Sequence, residues 1–262
     1  MGSAEHPSST SRFDLGGRLA LVTGVTRGIG LAIAEALAGA GADVVGVSRA
    51  IQRDGEEAHE RVEKVGRRFV PIPADLSDRA SVRQLLERVT ELERPVDILV
   101  NNAGTIYRQP AVEHTLDDWD RVIEVNLNSQ FVLTQALGKQ MVSRGYGKII
   151  FMASMLSFQG GVNVASYTAS KHGVAGLTKA LANEWAPAGV NVNAIAPGYI
   201  ATDNTRALRE DPVRSQAILE RIPAGRWGSP SDIASAAVFL SSRASDYVNG
   251  AVVPVDGGWL GR

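Results

Sequence analysis

Two side chains four positions apart, Tyr167 and Lys171 in Ser166-Tyr-Thr-Ala-Ser-Lys, carry the sharpest chemical signal in the chain. A phenol is a poor base at neutral pH, because its ordinary pKa is near 10. A neighbouring ammonium favours the phenolate and brings proton transfer within reach. Spacing i, i+4 puts both groups on one face of a helix, which runs on through Leu177, Leu181 and Trp185. With five tyrosines and five lysines in 262 residues, chance supplies about 0.1 such pair. Ser154 lies thirteen residues upstream, at the end of the apolar run Lys148–Ala153, where its hydroxyl could bind an oxygen that interconverts between alcohol and carbonyl. Asn126, in an earlier helical segment, could support Lys171 through a water. Singly these residues read as a strand cap, a helix satisfier and a surface pair. Together they read as one proton-transfer site.

The elements that must position them follow from the hydrophobic pattern. Short apolar runs, rich in Val and Ile, stand at Leu19–Thr23, Val44–Val47, Phe69–Ile72, Val96–Val100, Lys148–Ala153, Val190–Ile195 and Ala251–Val255. Runs of four to six residues that do not alternate predict strands buried on both faces. Between them lie helix-period segments: Ile29, Ala32, Ile33, Ala36, Leu37 and Ala40, then Val82, Leu85, Leu86 and Val89. Strict alternation of strand and helix predicts an α/β fold, a doubly wound parallel sheet of about seven strands with right-handed crossovers. Ligands of such sheets bind beyond the carboxyl ends of the strands, so Ser154 and the first strand's end converge on one crevice. The stretch Gly198–Pro230 has no strand candidate, and a loop that long reads as a lid or binding segment. Residues 1–14 read as a disordered tail, and 15–262 as one domain.

The first strand ends in Thr23-Gly24-Val25-Thr26-Arg27-Gly28-Ile29-Gly30, followed at once by a helix. Glycines there let the backbone turn sharply and approach a pyrophosphate, which then rests on the helix N-terminus. The spacing G-x-x-x-G-x-G differs from the commonest dinucleotide fingerprint. Tyr167 would donate or accept a proton while hydride moves to or from a nicotinamide. The second strand closes in Ser48-Arg49 and offers no carboxylate for a ribose 2′-hydroxyl, since Asp43 is at its wrong end and Asp54 comes too late. Two cations, Arg27 and Arg49, beside a hydroxyl suit a 2′-phosphate, so NADP is expected, with NAD as the alternative. Asp75, next to Leu76 after the third strand, has two readings: a partner for an adenine amino group, or a turn residue. Asn102-Ala103-Gly104 ends the fourth strand at the same edge.

Composition narrows the rest. The chain is 44% hydrophobic with 27 basic against 28 acidic residues, which excludes a disordered chain and argues against a nucleic-acid partner. The absence of cysteine excludes disulfides and thiolate chemistry. His114 and His172 have no partner set at ligand spacing, so no metal is expected. The longest uncharged run, 149–170, is interspersed with Ser, Gln, Asn and Thr and is not a membrane span. A cytoplasmic protein is expected.

From Phe13 to Arg262 the sequence resembles the short-chain dehydrogenase/reductase family, through Thr23-Gly-x-x-x-Gly-Ile-Gly30, Asn101-Asn-Ala-Gly104, Asn126, Ser154, Tyr167-x-x-x-Lys171 and Pro197-Gly198. The resemblance implies a catalytic tetrad of Asn126, Ser154, Tyr167 and Lys171, a nicotinamide contact from Ile200 and Thr202, and a homotetramer. Within that family, Ala153-Ser-Met-Leu-Ser-Phe-Gln-Gly-Gly161, Arg221-Ile-Pro-Ala-Gly-Arg-Trp-Gly228 and Asp256-Gly-Gly-Trp-Leu260 are similar to the 2-dehydro-3-deoxy-D-gluconate 5-dehydrogenases, also called 2-deoxy-D-gluconate 3-dehydrogenases. Arg49 departs from the NAD-using members of that group. A sugar-acid substrate needs a carboxylate partner, for which Arg108 and Arg206 are candidates, with Gln159 for a hydroxyl. The same chemistry on a 3-oxoacyl carrier protein or on gluconate is the alternative. A non-catalytic nucleotide-binding regulator is the rival from another class, and the intact tetrad speaks against it.

Overall fold

The computed structural model describes residues 12–262; of the tail expected over 1–14, residues 1–11 lie outside the described residues. Phe13 sets its ring 6.4 Å from that of Phe239. Seven strands form one wholly parallel sheet: β1 (Leu19–Thr23), β2 (Asp43–Ser48), β3 (Phe69–Pro73), β4 (Ile98–Asn101), β5 (Gly147–Met152), β6 (Val190–Pro197) and β7 (Val252–Val255). Their order is β3-β2-β1-β4-β5-β6-β7. All seven apolar runs read from the sequence became strands, with no end displaced by more than two residues and β1 matching at both ends.

The helices are α1 (Gly28–Gly39), α2 (Ile51–Asp54), α3 (Glu56–Lys64), α4 (Arg79–Thr90), α5 (Leu116–Ile123), α6 (Ser129–Arg144), α7 (Ala165–Trp185), α8 (Arg206–Glu210), α9 (Pro212–Leu219) and α10 (Pro230–Ser241). Successive side chains of each strand serve opposite faces. In β1, Ala20 and Val22 join a core built with α1, α3 and α10, whereas Leu19 and Leu21 join one built with α4, α6 and α7. A strand buried twice must be apolar throughout, which is why the runs do not alternate.

Strand order reverses between β1 and β4, and the crevice at that switch point is where such sheets bind ligands. Register brings the relevant ends level: Thr23 pairs with Val47, Val22 with Val100, and Asn101 with Phe151. The long excursion after β6 is pinched at its neck, where Ile200 bridges to Gly228, with Gly228 N–H donating to the Tyr199 carbonyl at 2.9 Å and Ala201 N–H to the Gly228 carbonyl at 2.8 Å. It contains α8 and α9, in which no residue is buried. Past the neck Ser229 caps α10 in a reciprocal box with Asp232, and Pro230 sits in the first turn.

Candidate active site

Ser154 follows β5 in extended conformation and caps the short turn Met155–Ser157. Its Oγ accepts from Leu156 N–H at 3.2 Å, and Ser157 Oγ accepts from Ser154 N–H at 3.3 Å. Ser157 Oγ also donates to the Lys171 carbonyl at 2.7 Å, tying the serine turn to α7. Tyr167 and Lys171 stand one turn apart on α7, with Lys171 Nζ 5.5 Å from the centre of the Tyr167 ring. Lys171 Nζ donates to the Met152 carbonyl at 2.6 Å. The helix therefore leans on the end of β5 through both its backbone and its lysine.

Asn126 is fully buried in a π-helical turn, Glu124–Asn128, that joins α5 to α6. Such turns recur at functional sites because the wider ring swings side chains off the α-helical track. Its Oδ1 accepts from Thr105 N–H at 2.8 Å, while Nδ2 donates to the Thr105 carbonyl at 2.9 Å and to Ser170 Oγ at 3.2 Å. Asn126 thus holds the loop after β4 against α7, where its direct contact is Ser170. Thr105, Ser157 and Ser170 were not singled out from the sequence. Of these only Ser157 left a signal, as the second serine of a Ser-x-x-Ser cap.

Burial dominates the electrostatics. It pushes the Tyr167 phenol above its ordinary value, against the Ser154 hydroxyl and the Arg108 charge, both of which favour the phenolate. Burial also brings the Lys171 ammonium down to about 8. The groups that oppose the push of burial on the phenol are Ser154 and Arg108, and not the Lys171 ammonium expected from the sequence, whose Nζ stands 5.5 Å from the ring centre.

At the end of β1 the turn fits a pyrophosphate. Gly24 and Gly28 adopt left-handed φ of +70° and +57°. A Cβ on Gly30 would fall 2.1 Å from the Gly24 carbonyl oxygen and 2.5 Å from Asn102 Nδ2. The residue at the start of α1, Arg27, makes no side-chain cap, which leaves the first N–H groups without that partner and suited to an anion. Thr26 and Ile29 complete this turn. Thr23 Oγ1 accepts from the N–H groups of Asn102 and Ala103 at 3.0 and 2.9 Å, and Asn102 Nδ2 donates to the Thr23 carbonyl at 2.8 Å. Asn102 and Ala103 therefore shape the cradle from beneath. Gly104 lies over Asn126 and Lys171, where an added Cβ would meet Asn126 Oδ1 at 3.4 Å and Lys171 Nζ at 3.9 Å.

The two arginines expected at the ribose end are both already engaged. Arg49, after Ser48, stands 3.6 Å from Asp75, and Arg27 stands 3.5 Å from Asp203. Asp75 is also fixed by Ser77, whose N–H and hydroxyl donate to it at 2.9 and 2.6 Å. Leu76 beside it is buried. Asp43 holds Arg67 and Arg94 at 3.2 and 2.8 Å, at the far end of β2 as its position implied. Past Pro197, the Gly198 N–H donates to the Val255 carbonyl at 3.0 Å, and an added Cβ on Gly198 would sit 2.5 Å from Asp256 Cα. Ile200 is buried, and Thr202 Cγ2 lies 3.5 Å from where a Cβ on Gly28 would be, so the excursion folds back over the cradle.

Among the substrate candidates, Arg108 is exposed, has no carboxylate partner among the described residues, and acts on the Tyr167 phenol. Gln159 is half-buried, its N–H donating to the Met155 carbonyl at 3.3 Å. Arg206 is gripped by Asp203. Among the described residues no cluster of His, Asp and Glu could hold a metal ion, and no helix is long and apolar enough to cross a membrane.

A doubly wound parallel sheet, a glycine cradle at its switch point and the group of Ser154, Tyr167 and Lys171 above the same strand ends define an oxidoreductase that works with a nicotinamide dinucleotide. The family model described as enoyl-(acyl carrier protein) reductase matches residues 24–260. The chain is 57% identical over 251 residues to the 2-dehydro-3-deoxy-D-gluconate 5-dehydrogenase of Pseudoalteromonas atlantica, covering 96% of this chain and 99% of that one. Against the enzyme of the same name from Bacillus subtilis it is 55% identical, covering 95% and 97%. A solved structure from Agrobacterium tumefaciens, described as a candidate 2-deoxy-D-gluconate 3-dehydrogenase with bound NADP, superposes with a TM-score of 0.89 at 54% identity, covering 96% and 99%. The chain belongs to the short-chain dehydrogenase/reductase family.

Proposed function

We propose that this enzyme interconverts a secondary alcohol and a ketone on a deoxy sugar acid, as a 2-dehydro-3-deoxy-D-gluconate 5-dehydrogenase or 2-deoxy-D-gluconate 3-dehydrogenase, with NADP preferred over NAD. The bound dinucleotide supplies or removes hydride. Tyr167 moves the accompanying proton at the substrate oxygen, Ser154 Oγ orients that oxygen, and Lys171, one helical turn from Tyr167, is the second proton-holding group of the site. Asn126 positions α7 through Ser170. Glycines 24, 28 and 30 receive the pyrophosphate, and Arg27, Ser48 and Arg49 the ribose phosphate.

The observation that carries the sugar-acid reading is Arg108. A guanidinium with no carboxylate partner among the described residues favours the Tyr167 phenolate, on the side where the carboxylate of a short polyol acid would need a partner. The activities for which relatives at 57% and 55% identity are named support the same substrate class. The catalytic domain spans 15–262, and the enzyme works in the cytoplasm as a homotetramer. Exposed apolar side chains on α5 and α6, Leu116, Trp119 and Phe131, offer a face for a second copy.

Absorbance at 340 nm tests the reading, with NADP and NAD each offered against deoxygluconates, gluconate and a 3-oxoacyl thioester, and Tyr167→Phe alongside. Turnover of a deoxygluconate that the variant abolishes supports it. Turnover of the thioester alone overturns the substrate class. Sedimentation velocity settles the assembly.

A further inference from the structure

The two guanidiniums at the ribose end differ in what holds them. Arg49 is held by Asp75, a near neighbour past β3. Arg27 is held by Asp203, which belongs to the excursion after β6 and arrives from the opposite side of the crevice. Asp203 opens the turn Asp203–Thr205, directly after Thr202. It is shared, since Arg206 grips its other oxygen. Arg27 extends from an extended backbone at the start of α1, its side chain is 74% exposed, and Asp203 is its one ion-pair partner among the described residues. Its charge is also felt by Asp54, which Arg53 binds first and which ends α2 beyond β2.

Parallel register makes this placement consequential. Thr23 pairs with Val47, so the turn after β1 and the Ser48-Arg49 corner leave the sheet side by side. An anion at the end of β2 would meet both arginines. Bidentate pairing between a guanidinium and a phosphate is strong and geometrically demanding. Asp203 holds Arg27 through Nη1 alone, at 3.5 Å, so Asp203 and a ribose phosphate draw on the same guanidinium from different sides.

We propose that Asp203 is a specificity-determining residue for the cofactor, lowering the preference for NADP over NAD by competing with the 2′-phosphate for Arg27. Only the phosphorylated dinucleotide draws Arg27 away from Asp203, so only its affinity carries that cost. The inference rests on the reading of the glycine turn as a dinucleotide site, and it assigns a residue of the substrate-side excursion to discrimination at the far end of the cofactor.

Fluorescence titration of NADPH and NADH into the full-length protein tests it without turnover. Asp203→Asn is expected to tighten NADPH about threefold, in line with an exposed ion pair, and to leave NADH within about 1.5-fold. Arg27→Met is expected to loosen NADPH selectively. In the Arg27→Met background, Asp203→Asn should no longer change the ratio, which is the pairwise signature of a double-mutant cycle. Equal changes for both dinucleotides would overturn the proposal and give Asp203 a general role in closing the excursion. Persistence of the ratio change without Arg27 would overturn it as unspecific charge repulsion. Failure of the unmutated protein to bind either dinucleotide would remove the cofactor reading itself, and the proposal with it.

Discussion

The Lys171 ammonium donates to the carbonyl of Met152 at 2.6 Å, so the second proton-holding group of the site also bolts α7 to the end of β5. Burial brings this lysine from 10.5 down to about 8, which corresponds to about 3 kcal/mol against the charged form. The sign follows from proton binding. Between about 8 and 10.5 the unfolded chain holds a proton that the folded chain has lost, so Lys171 makes stability rise with pH across that window. At pH 7 it is charged in both states and the whole penalty is present. Lys171→Met removes that penalty and leaves the Met152 carbonyl unpaired, at about 1–3 kcal/mol. The expected outcome is an enzyme without turnover that unfolds in urea at the same or higher midpoint. A midpoint lowered by more than 2 kcal/mol of stability would show that the lysine is chiefly structural.

Arg108 makes a separate prediction in pH. Its charge lowers the Tyr167 phenol, against the upward push of burial. Alcohol oxidation needs the phenolate, so its rate climbs as pH rises through that pKa. Arg108→Met should move the climbing limb of kcat for alcohol oxidation to higher pH. If the same guanidinium receives the substrate carboxylate, KM for a sugar acid rises at least tenfold. An unchanged limb together with an unchanged KM would exclude Arg108 from both tasks.

The cradle can be tested by a single methyl. Ala at position 30 would place Cβ 2.1 Å from the Gly24 carbonyl oxygen, a separation no packing allows, so the turn must open. Gly30→Ala should weaken NADPH binding at least tenfold. Gly39→Ala, on the same helix with nothing within 4 Å, is the control. It should leave binding intact and add a few tenths to about 1 kcal/mol of stability, because Ala is the better helix former. Equal binding by both variants would remove the glycine turn as the pyrophosphate site.

How much of this was legible in the sequence depends on whether burial left a trace. Strands sandwiched between helix layers must be apolar throughout, and Leu19–Thr23 declares itself for that reason. Tyr167 and Lys171 were legible because a helix converts spacing into geometry. The helices α8 and α9 left no such trace: none of their residues is buried, so no apolar stripe marks them. The π turn around Asn126 is equally silent, since one extra residue in a helical ring has no compositional signature. Arg27 and Arg49 were readable as cations near a ribose. Their carboxylate partners were not, because Asp203 lies 176 positions beyond Arg27 and meets it only through the return of the excursion over the cradle.

Trp259 supplies the last prediction. Its ring is 95% buried, 4.8 Å from the ring of Tyr199 and beneath the Arg221 guanidinium at 4.0 Å. Met155 and Ile222 complete the same apolar cluster. Met155 follows Ser154 and Tyr199 follows Gly198, so this indole braces the two segments that frame the reacting centre from the substrate side. Deleting a buried indole costs about 3–5 kcal/mol, and the cavity here opens directly behind the serine turn. Trp259→Ala should therefore raise KM for the sugar acid more than it raises the Kd of NADPH, whose cradle lies across the sheet at β1. Trp259→Phe keeps most of the packing and should recover most of the loss. Parallel weakening of substrate and cofactor, with no recovery in the phenylalanine variant, would mean that the cluster supports the fold as a whole and has no particular hold on the substrate side.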